Sequence, residues 1–290
     1  MSAIEKWGKL LGITIAVIYL VFLAENEAYQ WTWFILILTT IGIPHGAIDH
    51  LLDRQQVKNR SLIHFLFIYI TIILFYLLIW WLIPVYALLA FLLISAYHFG
   101  QSHFIQYPPK GFKTLTYLTL GSYYLSVILG GDFESTAEIL SSLVHIGPLG
   151  PYKWMIIGSL FLGSAILIYS TVNLKGFGML LAEMIVMGIV LYFTPLLLAF
   201  IIYFGFWHAL PSMYLEYQIL KEGFQGQKLK TFIYQLLPFS LLSLVGMALI
   251  IILFFNRLEQ EQLVLLFFVL VSLISAPHIW FMNRFIEDRE

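Results

Sequence analysis

The sequence predicts an all-α integral membrane protein: residues 1–290 form a single polytopic domain, a bundle of about ten transmembrane helices with both termini inside. Three observations carry this. Of the 290 residues, 61% are hydrophobic and only 11% charged, and the mean hydropathy is +0.90, outside the range of a water-soluble domain. The apolar residues come in runs long enough to cross a hydrocarbon core of ~30 Å, which takes about 20 helical residues. Finally, 13 of the 15 Lys and Arg side chains fall on alternate connections, as the positive-inside rule requires of a multi-pass chain.

Cutting at charges and at Pro and Gly clusters places the segments at roughly 10–24, 31–52, 62–83, 85–104, 113–130, 154–172, 177–193, 196–217, 230–254 and 263–283. The first, LLGITIAVIYLVFLA, follows Lys6 and Lys9 as a signal-peptide core would, but no A-x-A-like cleavage site succeeds it, so an uncleaved helix is expected. The second begins with WTWFILILTTI and runs into GIPHGAIDH at 42–50. Pro84 divides the third from the fourth, and Thr194-Pro195 divides the seventh from the eighth. With the N-terminus inside, the inner connections hold Lys6, Lys9, Arg54, Lys58, Arg60, Lys110, Lys113, Lys175, Lys221, Lys228, Lys230, Arg284 and Arg289. Only Lys153 and Arg257 fall outside, where Glu25, Glu27, Asp132, Glu134 and Glu138 gather.

Composition also excludes functions. A net charge of −1 leaves no basic footprint for nucleic acid. With Cys 0 there is no disulfide, thiolate metal site, iron–sulfur cluster or cysteine nucleophile, so any metal must be held by His, Asp, Glu or backbone oxygen.

The histidines give the chemistry. Taking the outward-to-inward helices to start at Trp31, Val85, Leu196 and Leu263, His45, His98, His208 and His278 are their 15th, 14th, 13th and 16th residues. At 1.5 Å per residue all four lie about 20–24 Å from the outer face, so four helices present imidazole at one depth. A lone intramembrane histidine is commonly a helix-to-helix hydrogen bond; four at matched depth point to a site. Neutral imidazoles with few carboxylates suit a divalent first-row transition metal, and histidine-only ligation with open positions suits iron or copper better than structural zinc. His50 and His103 follow His45 and His98 by five residues, about 140° round a helix, and so face elsewhere unless the helix unwinds. With Asp49, i+4 from His45, and Glu183 in LLAEMIVMG, they are candidates to support the ligands from outside. Pro44, Pro211 and Pro277 loosen backbone near the site, and Gly42, Gly46, Gly100 and Gly205 admit close approach. His64 and His145 sit at an interface and in an outer loop and are left out of the set.

GIPHGAIDH, SAYHFGQSHF, FGFWHALPSM and SAPHIWF resemble the Brp/Blh family, bacteriorhodopsin-related membrane proteins that cleave β-carotene, in order and spacing over nearly the whole chain. The resemblance implies a β-carotene 15,15′-dioxygenase of the cell membrane: iron(II) and O2 split the central double bond into two molecules of all-trans-retinal, a product that a rhodopsin could receive. It assigns His45, His98 and His208 to the family's motif positions. Some relatives carry another histidine four residues after the position of His208; here that residue is Ser212, and depth nominates His278 as the fourth ligand. A substrate dissolved in membrane lipid calls for a lateral, aromatic-lined tunnel, which Phe 25, Tyr 17 and Trp 8 can supply. The alternative is a proton- or metal-coupled transporter with a His/Glu relay, against which stand the lack of an inverted repeat and of polar residues across the outer half. The HxxxH and HxxHH clusters of di-iron hydroxylases and desaturases are absent.

Overall fold

The computed structural model describes residues 2–56 and 61–287; Lys58, Arg60 and Arg289 of the positive-inside count lie outside them. Every predicted segment is helical, and among the described residues there is no strand. Among the described residues, eight helices are long and apolar enough to cross a membrane. The other two predicted spans are the helices Ala3–Phe22, which carries Glu5, Lys6 and Lys9, and Lys113–Gly131, diluted by Thr, Tyr, Ser and Gly. The outer connection expected as loop contains a further helix, Phe133–Leu140, and a 3-10 turn, Gly147–Tyr152.

Helix starts have local causes. Ser2, Asn26, Ser61 and Asn173 each accept a hydrogen bond from a backbone N–H three residues on, which satisfies donors that lipid could not. Asp132 serves two helices: Oδ1 accepts from Ser135 N, three residues on, at 3.3 Å, and Oδ2 from Leu196 N, the first residue of a distant helix, at 3.1 Å. Pro84 opens its helix, where a missing N–H costs nothing. Thr14, Thr32 and Thr71 inside their helices, and Thr194 just past the end of Leu174–Phe193, return their hydroxyls to the carbonyl four residues back, at 2.6–2.8 Å. Large apolar side chains such as Ile63, Phe67, Phe75 and Trp81 of Leu62–Leu82 point outward, as lipid permits and water does not.

The chain divides into two compact units, each built from two chain segments: Met1–Leu38 with Leu92–Pro211, and Thr39–Phe91 with Ser212–Glu290. In the first, helices Pro84–His103 and Lys113–Gly131 meet backbone to backbone. A Cβ on Gly100 would come within 1.8 Å of Tyr117 O, and one on Gly121 within 1.7 Å of Ala96 O, so only glycine permits this approach. In the second, Ala47, Ile48, Leu52, Phe232, Leu236 and Phe285 form an apolar core.

The spans carrying His45 and His278 start at Glu27 and Gln260, earlier than the depth count took at Trp31 and Leu263, because polar residues extend each helix beyond its apolar run.

Candidate functional site

The unit of Thr39–Phe91 and Ser212–Glu290 holds His45 and His278. Helix Glu27–Ile37 passes into a π turn, Leu38–Gly42, and then into the four-residue helix Ile43–Gly46. Pro44 lacks the N–H that would close a regular turn, and i→i+5 bonding takes up the mismatch, the loosening that the prolines predicted. Around Pro277, by contrast, the helix Gln260–Glu287 runs on unbroken.

His45 and His278 are 2% and 6% exposed, with ring centroids 4.5 Å apart at 79° and Nε2 atoms 3.0 Å apart. A carboxylate stands behind each ring. Asp49 Oδ1 accepts from His278 Nδ1 at 2.9 Å, and Glu216 Oε1 lies 3.2 Å from His45 Nδ1, an ion-pair distance without the alignment of a hydrogen bond. Both carboxylates are buried. His45 Nε2 and His278 Nε2 lie at hydrogen-bond distance, and were both rings to carry their protons on Nδ1, facing the acids, the two Nε2 lone pairs would meet in one space, a repulsion that a cation between them would relieve. The donor set fits a metal: imidazole nitrogens, one of them oriented by a hydrogen bond to an acid, beside two carboxylates whose charges when ionised equal those of a divalent ion.

Asp49 does not serve His45, as the i+4 spacing suggested. The helix stops at Gly46 and Ala47 and Ile48 form a turn, so the spacing no longer measures a helical face and Asp49 reaches His278 instead. A Cβ on Gly46 would stand 3.5 Å from the His278 ring, so the backbone passes close beside it.

The unit of Met1–Leu38 and Leu92–Pro211 holds His98 and His208, 3% and 1% exposed, with centroids 4.5 Å apart at 73°. His208 lies in a second π turn, Tyr203–Ala209. Its Nδ1 is 3.2 Å from Ser102 Oγ, which itself donates to Phe99 O at 2.7 Å. The hydroxyl proton being committed, Ser102 accepts from His208 Nδ1–H and leaves Nε2 as a lone pair. Phe99 and Phe204 pack against the His208 ring, at 4.8 Å and 5.8 Å.

The supporting candidates go elsewhere. Glu183 accepts from His103 Nδ1 at 3.0 Å and from Lys9 Nζ at 3.0 Å, and it contacts none of the four deep histidines directly. His103 Nε2 then accepts from the Tyr203 hydroxyl at 3.0 Å, and its ring stacks on Tyr124 at 4.8 Å. His98 and His103 lie on one unbroken helix and face different neighbours, as their spacing required. His50 packs against Phe239 at 4.8 Å and Phe65 at 6.3 Å. His64 and His145 are exposed, and Ser212 is buried. Glu216 escaped the sequence reading because it falls at the end of segment 196–217, where an acid reads as interfacial; its one signal was its place two turns after His208.

The profile of the beta-carotene 15,15′-dioxygenase family matches residues 36–285. A relative from uncultured marine bacterium 66A03, named beta-carotene 15,15′-dioxygenase, is 30% identical over 186 residues, which are 61% of this chain and 66% of that protein. The match thus spans just under two thirds of that relative's length. No solved structure matches.

Proposed function

The chain belongs to the beta-carotene 15,15′-dioxygenase family, and from that premise we propose that it splits β-carotene at the central 15,15′ double bond with O2, at a non-haem iron(II). The reaction balances without a further reductant: one C=C and one O–O bond break, two C=O bonds form, and two molecules of all-trans-retinal carry away both oxygen atoms. When bound, the iron would supply the one-electron chemistry that lets O2 react with a closed-shell alkene.

The observation that carries this reading is the His45–His278 pair, two Nε2 atoms converging at 3.0 Å with an acid behind each ring. His98 and His208 would complete the ligand set. The common depth that the apolar runs of the sequence give the four residues is the ground for joining the pairs. Asp49 holds the proton on His278 Nδ1 and Ser102 receives that of His208, so the Nε2 lone pairs stay available. The apolar surroundings exclude water from a reaction that has no use for it. We place the protein in the cell membrane with both termini inside; substrate and product are soluble in lipid, and a rhodopsin could take up the retinal there.

Expression in a β-carotene-producing bacterium should bleach the orange colour as retinal accumulates, and the purified protein should need both iron(II) and O2. Aldehydes of unequal length would place the cut at another bond. Failure to turn over with iron restored, together with proton-coupled uptake into liposomes, would favour the transporter.

A further inference from the structure

One row of ionisable side chains, in the unit of Met1–Leu38 and Leu92–Pro211, takes no part in the reaction proposed above. Lys9 Nζ donates to Glu183 Oε2, His103 Nδ1 donates to Glu183 Oε1, and the Tyr203 hydroxyl donates to His103 Nε2, each at 3.0 Å. Separate stretches of chain supply them: the helices Ala3–Phe22, Leu174–Phe193 and Pro84–His103, and the π turn Tyr203–Ala209. The row begins near the surface, where Lys9 also meets Glu5 at 3.3 Å and Glu5 accepts from the exposed Gln106 at 2.9 Å. It ends at a phenol that is wholly buried. Cross-linking helices does not call for ionisable groups, which are costly to bury and add little stability when paired; a row of them leading inward is suited to passing a proton. Cleavage of an alkene by O2 into two aldehydes takes up and releases no proton, so the row serves another step.

Its inner end is distinctive. Tyr29, Tyr69, Tyr76 and Tyr123 donate their hydroxyls to backbone carbonyls, which cannot take a proton. Tyr203 donates to an imidazole, which can. The Phe99 ring stands 5.6 Å from the Tyr203 ring and 4.8 Å from that of His208, so a single ring separates this phenol from a candidate metal ligand. A phenol gives up an electron readily when its proton leaves with it, and a hydrogen-bonded base provides for that.

We propose that Tyr203 is a redox-active tyrosine: when O2 reacts at the metal with no β-carotene in place, Tyr203 supplies one electron to the resulting oxidant and passes its proton to His103 Nε2. The O–H bond breaks and an N–H bond forms. The phenol becomes a neutral radical, the imidazole becomes an imidazolium whose charge Glu183 balances, and the oxidant is reduced by one electron. A small one-electron reductant, a thiol or ascorbate, restores the phenol as His103 returns the proton. Oxidising power is thereby drawn to a side chain that can be repaired and away from the histidines. The assignment rests on the functional reading above.

Carotenoid-free protein loaded with iron(II) is mixed with O2, frozen at intervals and examined by electron paramagnetic resonance. A tyrosyl signal should form, narrowed when the cells have been fed ring-deuterated tyrosine. Tyr203→Phe should keep its iron and give no such signal, and mass spectrometry should find more oxidised histidine in it than in the unsubstituted protein. His103→Gln, whose amide oxygen can accept the phenol's hydrogen bond but cannot take its proton, should form the radical at least about 100-fold more slowly. A radical that persists in Tyr203→Phe, or that forms at the normal rate in His103→Gln, overturns the proposal. So does the absence of a radical in the unsubstituted protein; if that protein still cleaves β-carotene, the functional reading stands. A Tyr203 radical in a protein that leaves β-carotene intact keeps the redox role and removes the reading.

Discussion

The two histidine pairs share one ring geometry and differ in what stands behind it. Each has centroids 4.5 Å apart at a steep angle, 79° for His45–His278 and 73° for His98–His208. The first is backed by Asp49 and Glu216, the second by the Ser102 hydroxyl and by Phe99 and Phe204. A hydroxyl orients an imidazole. A carboxylate also makes it a stronger donor and supplies counter-charge, which matters where a bare dication would be costly. The difference between the pairs is thus one of charge: two acids behind the first, a neutral hydroxyl and apolar rings behind the second.

The strongest way to break this comparison is to remove a ring. His45→Ala, His98→Ala, His208→Ala and His278→Ala should each abolish iron retention and cleavage, read as iron stoichiometry on the purified variants; normal iron in any one removes that residue from the ligand set. Next come the acids. Asp49→Asn and Glu216→Gln should each weaken iron binding by about 10–100-fold in competition with a chelator. If charge balance is their role, the double variant should fall well below either single one. Ser102→Ala should cost less, about 2–12-fold, the worth of one neutral hydrogen bond. The smallest effect on iron belongs to His103→Ala and Glu183→Gln, which should keep full stoichiometry. Glu183→Gln should still lower stability by about 1.5–3 kcal/mol in a denaturation series, because it loses charge-assisted bonds to His103 and Lys9. Iron loss in these two variants would mean that the His103 network supports the metal after all.

Much of the site was legible. The four deep histidines were separable from His50 and His103 because helical phase is a local rule, and on the unbroken helix Pro84–His103 that rule held. It failed at Asp49, because the chain leaves the helix at Ala47 and Ile48, and only the actual path shows where i+4 stops applying. Glu183 was chosen for its depth in an apolar run, but depth says nothing about azimuth, and it faces His103 and Lys9. Glu216 was passed over for the complementary reason: it sits near a helix end and yet is wholly buried.

The sequence by itself determined that this is a helical membrane protein, which stretches form its long helices, and which histidines fall within their apolar runs. In lipid every backbone N–H and C=O must be satisfied within its own segment, so composition and local caps suffice to specify a helix. Only the tertiary structure decided which side chains meet. His278 and Asp49 stand 229 positions apart and still share a hydrogen bond of 2.9 Å. Such a contact depends on how helices rotate and pack on one another, a choice made by the fit of whole faces that no local pattern records.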